Sequence, residues 1–322
     1  MSNTLKKLLQ TAVGAVLLSA SFAASAAWPN DRVITLVVPF PPGGATDTLG
    51  RLVAHHLSQS LGQNVIVENK PGAGSMIGSQ AVARATPDGY TFLVGSIANV
   101  LNHYFYKKPL YDIEKDLIPV TQLVAVPNYI AVNGKSKINS LQELIEQAKT
   151  ESNKITCASS GIGSSPYLSC EMLRVLSGTS MLSVPYRGGL PAMQDVMGGQ
   201  ATVVVANEAL PYIKDGRLKG IGVTTSKRSE FAPDLPAAKE VLPGFDVTSW
   251  YGVFAPAGTP KEIVARVSAD IAKMMQDPES LKKVHALGAT PTANGPAAFK
   301  NYVGEELVRW KDALKPLNIS LD

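Results

Sequence analysis

The chain has 322 residues, 45% of them apolar and 17% charged, so it is long enough for two cored domains and lacks the composition of a disordered protein. Its formal net charge of +4 is too small to predict a nucleic-acid partner or a membrane-surface partner. Two Cys and four His give no metal-ligand spacing, since His55 and His56 are adjacent and face different sides of a helix, and we expect no metal.

The N-terminus predicts an export signal. Lys6 and Lys7 precede an apolar run at 8–18, and Ala24-Ser25-Ala26 fits the small-residue pattern at which signal peptides are cleaved. The run is shorter than the roughly 18 apolar residues that a membrane anchor needs. We therefore expect residues 1–26 to be a signal peptide that is cleaved after about Ala26.

The first strand, loop and helix form the most informative stretch. The β-branched and Leu residues at 34–38 predict a buried parallel strand, and the next apolar pattern predicts a helix that starts near Thr46 and ends at Gly62. Between them, Gly43 and Gly44 expose backbone N–H groups beside the positive end of the helix, which suits a carboxylate or a phosphate. Such a turn can equally be a plain connection between a strand and a helix.

The next elements complete a first doubly wound core. The pattern predicts a strand at 64–68, a helix at 75–85 and a strand at 90–95. The glycines of segment 71–78 imitate a dinucleotide-binding loop, but the third glycine comes one place late and no acidic residue ends the following strand. We therefore expect no cofactor.

A second set of elements starts near residue 127. Ser140 and Glu143 predict a capping box for a helix, and four strand candidates alternate with helical stretches, at 154–158, 181–186, 201–206 and 218–224. Cys157 and Cys170 flank the loop at 159–166 and are compatible either with a disulfide or with two buried thiols.

Polar residues follow several of these strands, at the ends where open α/β sheets bind ligands. They are Ser96, Asn99, Arg187 and Asn207. The Ser- and Gly-rich loop at 159–166 can bind a carboxylate through its hydroxyl and N–H groups, or it can simply cap the next helix. Arg187 can pair with an anion or point to solvent.

The recurring strand and helix units predict open parallel α/β sheets with helices on both faces. Extended stretches at 121–132 and 247–256 would connect two domains twice, residues 259–262 predict another capping box, and an apolar face on the last helix would pack on the first domain. Such a protein is built to close on a small ligand, whereas two domains in linear order, with a break near residue 130, are the alternative. The predicted domains are 27–126 plus 250–322 (domain one) and 127–249 (domain two).

Several sequence blocks along the mature chain match the pattern of one family. They are PFPPGG at 39–44 with Asp47, VENKPGAG at 67–74, PDGYT at 87–91, SSG at 159–161 with Gly163, VPYRG at 184–188 and FAPAGTP at 254–260. The chain resembles the Bug/TctC-type extracytoplasmic solute receptors, which are the periplasmic substrate-binding components of tripartite tricarboxylate transporters.

The resemblance implies a type II periplasmic-binding-protein fold, in which two doubly wound α/β domains joined by two hinge crossings close on a ligand carboxylate. It implies a monomeric receptor, not an enzyme, that binds a small organic acid or amino acid and works with membrane permease subunits. The ligand-binding residues that it implies are Phe40, Gly44, Ala45, Thr46 and Asp47 on one side and Ser160, Gly163, Ser164, Arg187 and Asn207 on the other. We expect Asp47 to accept N–H bonds at the helix start rather than to touch a like charge.

The chain departs from the family pattern at Tyr167, Thr202 and Val205, so we expect an altered second-domain wall. Val205 and the neighbouring Glu208 leave the distal end of the ligand undetermined, and an amino-bearing or a larger acid is compatible with them. The alternative function is an exported serine-type hydrolase that uses Ser160. Because none of the four His lies in a candidate loop, such an enzyme would need Asp47 or Glu208 as its base.

Overall fold

The computed structural model describes residues 28–30, 32–151, 154–317 and 319. The predicted signal peptide and its cleavage site lie outside these ranges. Within them, no helix combines the length and the apolar character that crossing a bilayer requires.

Strands and helices alternate along most of the chain. The strands are β1 (Ile34–Val38), β2 (Val65–Asn69), β3 (Thr91–Ser96), β4 (Leu117–Pro127), β5 (Tyr129–Asn133), β6 (Thr156–Ser159), β7 (Leu182–Pro185), β8 (Val203–Ala206), β9 (Leu218–Val223), β10 (Thr248–Pro256) and β11 (Thr290–Pro291). The helices are α1 (Ala45–Leu61), α2 (Met76–Ala83), α3 (Ile97–Phe105), α4 (Leu141–Thr150), α5 (Ser165–Ser177), α6 (Gly189–Met197), α7 (Leu210–Lys214), α8 (Lys261–Met274), α9 (Pro278–Ala286) and α10 (Pro296–Ala313).

The strands form two sheets. Sheet one has the order β11-β4-β10-β3-β1-β2, and sheet two has the order β7-β6-β8-β5-β9. The prediction of purely parallel sheets is wrong, because β10 is antiparallel to both β3 and β4, and β5 is antiparallel to both β8 and β9. A strand that enters a sheet directly from the other sheet needs no crossover helix, so it can run against its neighbours.

The strands and helices that the sequence predicts are present, and their observed ends differ from the predicted ones by a few residues. Strand β1 is buried along its length, apart from a half-buried Thr35, and α1 ends at Gly62, whose φ of +64° is the left-handed conformation that glycine adopts at low cost. Ser140 caps α4 by accepting the N–H of Glu143 at 3.1 Å, while the Glu143 carboxylate accepts the N–H of Asn139 at 2.7 Å.

The capping box predicted at 259–262 is wrong. Helix α8 starts after Pro260 without a side-chain cap, because the Thr259 hydroxyl donates instead to the carbonyl of Pro256 at 2.8 Å. Its hydrogen bond therefore closes the preceding turn rather than the helix end.

Thr224 joins the two places where the chain passes between the sheets. At the first, β4 and β5 are separated by Asn128 alone, and the N–H of Asn128 donates to Thr224 Oγ1 at 3.1 Å. At the second, just before β10, the Thr224 hydroxyl donates to the carbonyl of Val247 at 2.7 Å. Both crossings therefore meet at one buried side chain at the end of β9.

The last long helix, α10, packs against β4, as the sequence predicted, and its core also continues into sheet two. Trp250 and Phe299 make an edge-to-face contact with ring centroids 5.6 Å apart, and one apolar cluster extends from these rings to α5. Glu306 accepts the indole N–H groups of Trp250 and Trp310, at 3.0 and 3.1 Å. One apolar core therefore joins the two sheets where α10 packs.

Candidate functional site

A cavity of about 130 Å³, which we call the cleft cavity, lies between loops of the two sheets. Nine of the twelve predicted ligand-binding residues line it, namely Phe40, Gly44, Ala45, Thr46, Ser96, Ser160, Ser164, Arg187 and Asn207. The other three, Asp47, Asn99 and Gly163, do not line it. A second cavity of about 570 Å³, the side cavity, shares Phe40, Ser160 and Arg187 with it.

On the sheet-one side, the N-terminus of α1 lies at the cavity, and the carboxyl group of Glu208 accepts the N–H of its first residue, Ala45, at 2.9 Å. Gly44 is its N-cap residue and supplies no side-chain cap, so N–H groups of the first turn are left for other acceptors. The positive end of the helix dipole adds to the attraction for an anion at this point. This wall matches the loop that the sequence singled out.

Asp47 organises this loop from behind, which confirms its predicted role. Its carboxylate accepts the N–H of Gly43 at 3.0 Å, two N–H groups of Arg51 at 3.0 Å each and the amide of Asn69 at 2.9 Å. Burial raises the pKa of Asp47, but the hydrogen bonds from Arg51, Gly43 and Asn69 outweigh it, so the pKa is lowered overall. The carboxylate is therefore charged and fully engaged.

Ser96 and Asn99 take different places at the end of β3. Ser96 is the N-cap of α3, lines the cavity and donates its N–H to Asn99 Oδ1 at 2.9 Å. The Asn99 amide donates to Ser79 at 2.8 Å and to Tyr111 at 2.7 Å. Asn99 is thus buried in a polar network that fixes the start of α3, and its side chain has no donor left for a ligand.

On the sheet-two side, Ser164 both lines the cavity and caps α5. Its hydroxyl accepts the N–H of Tyr167 at 3.2 Å, donates to the carbonyl of Gly161 at 2.6 Å and lies 3.2 Å from the hydroxyl of Ser160. Gly163 turns instead toward the loop of sheet one that carries Gly74. The Ser164 hydroxyl is therefore engaged within its own loop, whereas Ser160 lines both cavities.

Helix α6 supplies a second uncapped N-terminus at the cavity. Its N-cap residue is Gly188, which provides no side-chain cap, and Gly188 and Gly189 both line the cleft cavity. Arg187 precedes them and is exposed, and the described part of the chain offers its guanidinium neither a hydrogen bond nor an ion pair. A guanidinium and a helix N-terminus next to each other both favour an anion.

Asn207 lines the cavity but uses its amide to hold the crossings. It donates to the carbonyl of Pro127 at 3.1 Å and to Asn128 Oδ1 at 2.7 Å, and it accepts the Tyr251 hydroxyl at 2.9 Å. Because these partners lie where the chain passes between the sheets, Asn207 couples this wall of the cavity to the crossings.

Glu208 is the acidic residue among the lining residues that the predicted ligand-binding set lacks. Its Oε1 accepts the N–H of Ala45 from the other wall at 2.9 Å, while its Oε2 is buried without a hydrogen-bond partner. Burial raises the pKa of Glu208, against the opposing effect of its hydrogen bonds with backbone N–H groups. The signal available in the sequence was its position, directly after Asn207 at the end of β8.

Two expectations about this side of the molecule need correction or completion. Val205 does not shape the wall, because it is fully buried in the sheet-two core and pairs with Ile130 of β5. Cys157 and Cys170, which the sequence left open, form a disulfide between β6 and α5.

The arrangement offers little for hydrolysis. The hydroxyl of Ser160 donates to Ser164 rather than to a base, and Asp47 lies outside the cavity lining. Glu208 does line the cavity, but its carboxyl group accepts the N–H of Ala45 and not the hydroxyl of Ser160. The His side chains are also absent from the lining of the cleft cavity, as the described residues define it. Those same residues contain no cluster of His, Cys, Asp and Glu that could hold a metal ion.

Comparisons with known proteins found matches over most of the chain. The sequence profile of the tripartite tricarboxylate transporter family receptors matches residues 49–319. Protein BugT of Bordetella pertussis is 33% identical over 320 residues, which cover 97% of this chain and 98% of BugT. The structure of the periplasmic binding protein BugD has a TM-score of 0.85 and 34% identity, covering 90% of this chain and 99% of that one. R. palustris Rpa4515, solved with adipate, has a TM-score of 0.86 and 32% identity, covering 91% and 99%.

Proposed function

The chain belongs to the family of tripartite tricarboxylate transporter receptors, and from this premise we propose that it captures a small carboxylate-bearing ligand in the cleft cavity. Its fold is that of the periplasmic binding proteins of the Bug family, as the resemblance implied. The family is one of solute-binding receptors and not a class of enzymes, and the hydrolase alternative finds no support.

One observation carries the assignment of the ligand class. The N-termini of α1 and α6, whose N-cap residues Gly44 and Gly188 supply no side-chain cap, come from different sheets and meet at the same cavity, with Arg187 beside the second. Glu208 accepts the N–H of Ala45 in α1, and the rest of that first turn has no cap from Gly44. Backbone N–H groups and the dipoles of both helices favour a carboxylate there. The adipate found in Rpa4515, which has the same fold, supports a carboxylate as the ligand of this chain.

The same proposal assigns roles to the walls. The nine predicted residues that line the cleft cavity contact the ligand directly or through water, whereas Asp47, Asn99 and Gly163 position the loops. Domain one comprises 27–126 and 250–322, domain two comprises 127–249, and the crossings near Thr224 act as the hinge.

The cellular setting is part of the proposal. The signal peptide is cleaved after about Ala26, and the mature protein acts in the periplasm as a monomer that delivers its ligand to the permease subunits of a tripartite tricarboxylate transporter. The apolar run at 8–18, the cleavage pattern and the family support this setting.

A thermal-shift screen of the mature protein against mono-, di- and tricarboxylates tests the ligand class. A ligand that binds the folded state alone raises the unfolding temperature as its concentration exceeds Kd. We expect at least one small carboxylate to raise it in a concentration-dependent way, and the corresponding amide or ester to have no effect. A complete panel without any shift would refute the proposed function.

A further inference from the structure

Glu208 is the acidic residue in the lining of the cleft cavity, and Arg187 is the basic one. The two differ in their surroundings. The Arg187 side chain is exposed at the boundary with the side cavity, whereas Glu208 is half-buried and its Oε2 is fully buried. A charged carboxyl group at this position repels a ligand carboxylate, and the desolvation of both groups opposes binding, so in its charged form Glu208 does not favour a ligand that carries carboxylates alone.

The two oxygens of Glu208 have unequal environments. Oε1 is satisfied by the N–H of Ala45, and this bond fixes the carboxyl group across the cleft. Oε2 is buried and has no hydrogen-bond partner, although buried polar atoms are nearly always paired. Because Oε2 is held in place and accepts no hydrogen bond from the protein, it is suited to accept one from a donor group of the ligand.

Gly189 makes room for this carboxyl group. A Cβ placed on Gly189 would lie 2.5 Å from Glu208 Oε2, so any larger residue would push the carboxyl group away. Gly189 is also the first residue of α6, and Arg187 lies two positions before it. The open acceptor and the groups that favour an anion are therefore direct neighbours.

We propose that Glu208 is a specificity-determining residue whose Oε2 accepts an N–H from the ligand, so that the preferred ligand is a zwitterion with an ammonium group next to its carboxylate. The ammonium group pairs with Glu208, and the carboxylate binds at the N-terminus of α6 beside Arg187. Because these partners are adjacent, the two ligand groups are adjacent as well, as in an α-amino acid. This inference rests on the proposed function.

Matched pairs of acids test it. We suggest isothermal titration of the mature protein with propionate and alanine, succinate and aspartate, glutarate and glutamate, and adipate and 2-aminoadipate, since each pair differs by one ammonium group. In at least one pair the amino member is expected to bind tenfold or more tightly. Acids that bind in every pair at least as tightly as their amino partners would overturn the inference and leave the proposed function intact. Failure of all eight compounds would overturn the inference, and the proposed function would fall with it if the thermal-shift panel also gave no shift.

The variant Glu208→Gln isolates the side chain. Gln keeps an oxygen for the N–H of Ala45 but replaces the open acceptor by an NH₂ donor. We expect the preference for the amino member to fall at least tenfold, and the plain acid to bind as well as before or better. An unchanged preference would overturn the role of Glu208. The matched control is Glu262→Gln, which removes the same charge at an exposed position of α8 and should leave both affinities unchanged.

Discussion

The backbones of Gly74 and Gly163 meet across the cleft. Gly74 belongs to the loop after β2 in sheet one, and Gly163 to the loop after β6 in sheet two. A Cβ placed on Gly163 would lie 3.2 Å from the Cα of Gly74 and 2.8 Å from Asn102 Oδ1. A side chain on Gly163 would collide with the other loop. The two backbones can therefore approach this closely because both positions are glycine.

We therefore expect Gly163→Ala to weaken ligand binding although Gly163 does not line the cleft cavity. The added methyl group opposes closure, and overpacking of this kind costs about 1–3 kcal/mol, which corresponds to roughly a 5- to 150-fold loss of affinity. Isothermal titration with the tightest acid of the screen measures the loss.

The control for this variant is Gly244→Ala. Gly163 and Gly244 have φ values of +84° and +88°, so both variants strain the backbone, but a Cβ on Gly244 would meet no atom within 4 Å. The control should lose stability and keep its affinity. Equal affinities of the two variants would contradict the idea that this contact accompanies closure.

Local features of the site could be predicted from the sequence, and contacts between distant residues could not. The strand, glycine loop and helix around Gly44 and the role of Asp47 follow from neighbouring residues, because a helix start defines its own hydrogen-bonding needs. The network that buries Asn99 depends on Tyr111 from another segment, and the bond between Ala45 and Glu208 joins residues 163 positions apart. Contacts of this kind depend on the tertiary structure that brings distant segments together, and a local sequence pattern does not contain that information.

The charged state of Asp47 should make stability depend on pH. Its folded pKa is lowered below the unfolded value, so its stabilising contribution is present above about pH 4 and is lost as the pH falls through the folded pKa. Asp47→Asn should lower the free energy of unfolding by about 1–3 kcal/mol at pH 7, and the difference from the unmodified protein should shrink below about pH 4. Urea titrations at several pH values measure it. Asp234→Asn, at an exposed position, should show no such trend.

Backbone groups rather than Arg187 should provide most of the hold on the ligand carboxylate. Arg187→Ala should weaken binding of an acid but not abolish it, because the N-termini of α1 and α6 remain. Gly44→Val should cost more. Its φ of −85° permits a side chain, but the branched group would crowd Glu208 Oε1, which is 3.4 Å from the Cβ position, and would occupy the cavity. Titration calorimetry should rank the two, and a folded Gly44→Val protein with normal affinity would refute this account.

The disulfide between Cys157 and Cys170 should support the second binding loop. It encloses residues 159–166, so its removal frees both ends of the segment that carries Ser160 and Ser164. The double variant with Ala at both positions should lose about 2–4 kcal/mol of unfolding free energy. Chemical denaturation measures this loss. Reduction of the unmodified protein with a thiol should destabilise it by a comparable amount. The same treatment should leave the double variant unchanged. Together these two results separate the loss of the disulfide from the loss of side-chain packing.

Ligand binding should bring the two sheets together about the crossings at Thr224. Contacts between Ala45 and Glu208 and between Gly74 and Gly163 already span the cleft, and a ligand that binds both walls adds to the attraction between them. Small-angle scattering of the mature protein should therefore show a smaller radius of gyration when a binding acid is added, and no change with an acid that does not bind. Gly163→Ala should shift less than the unmodified protein at saturation. An unchanged radius with a proven ligand would mean that the free protein is already closed, and hinge closure would then not be part of binding.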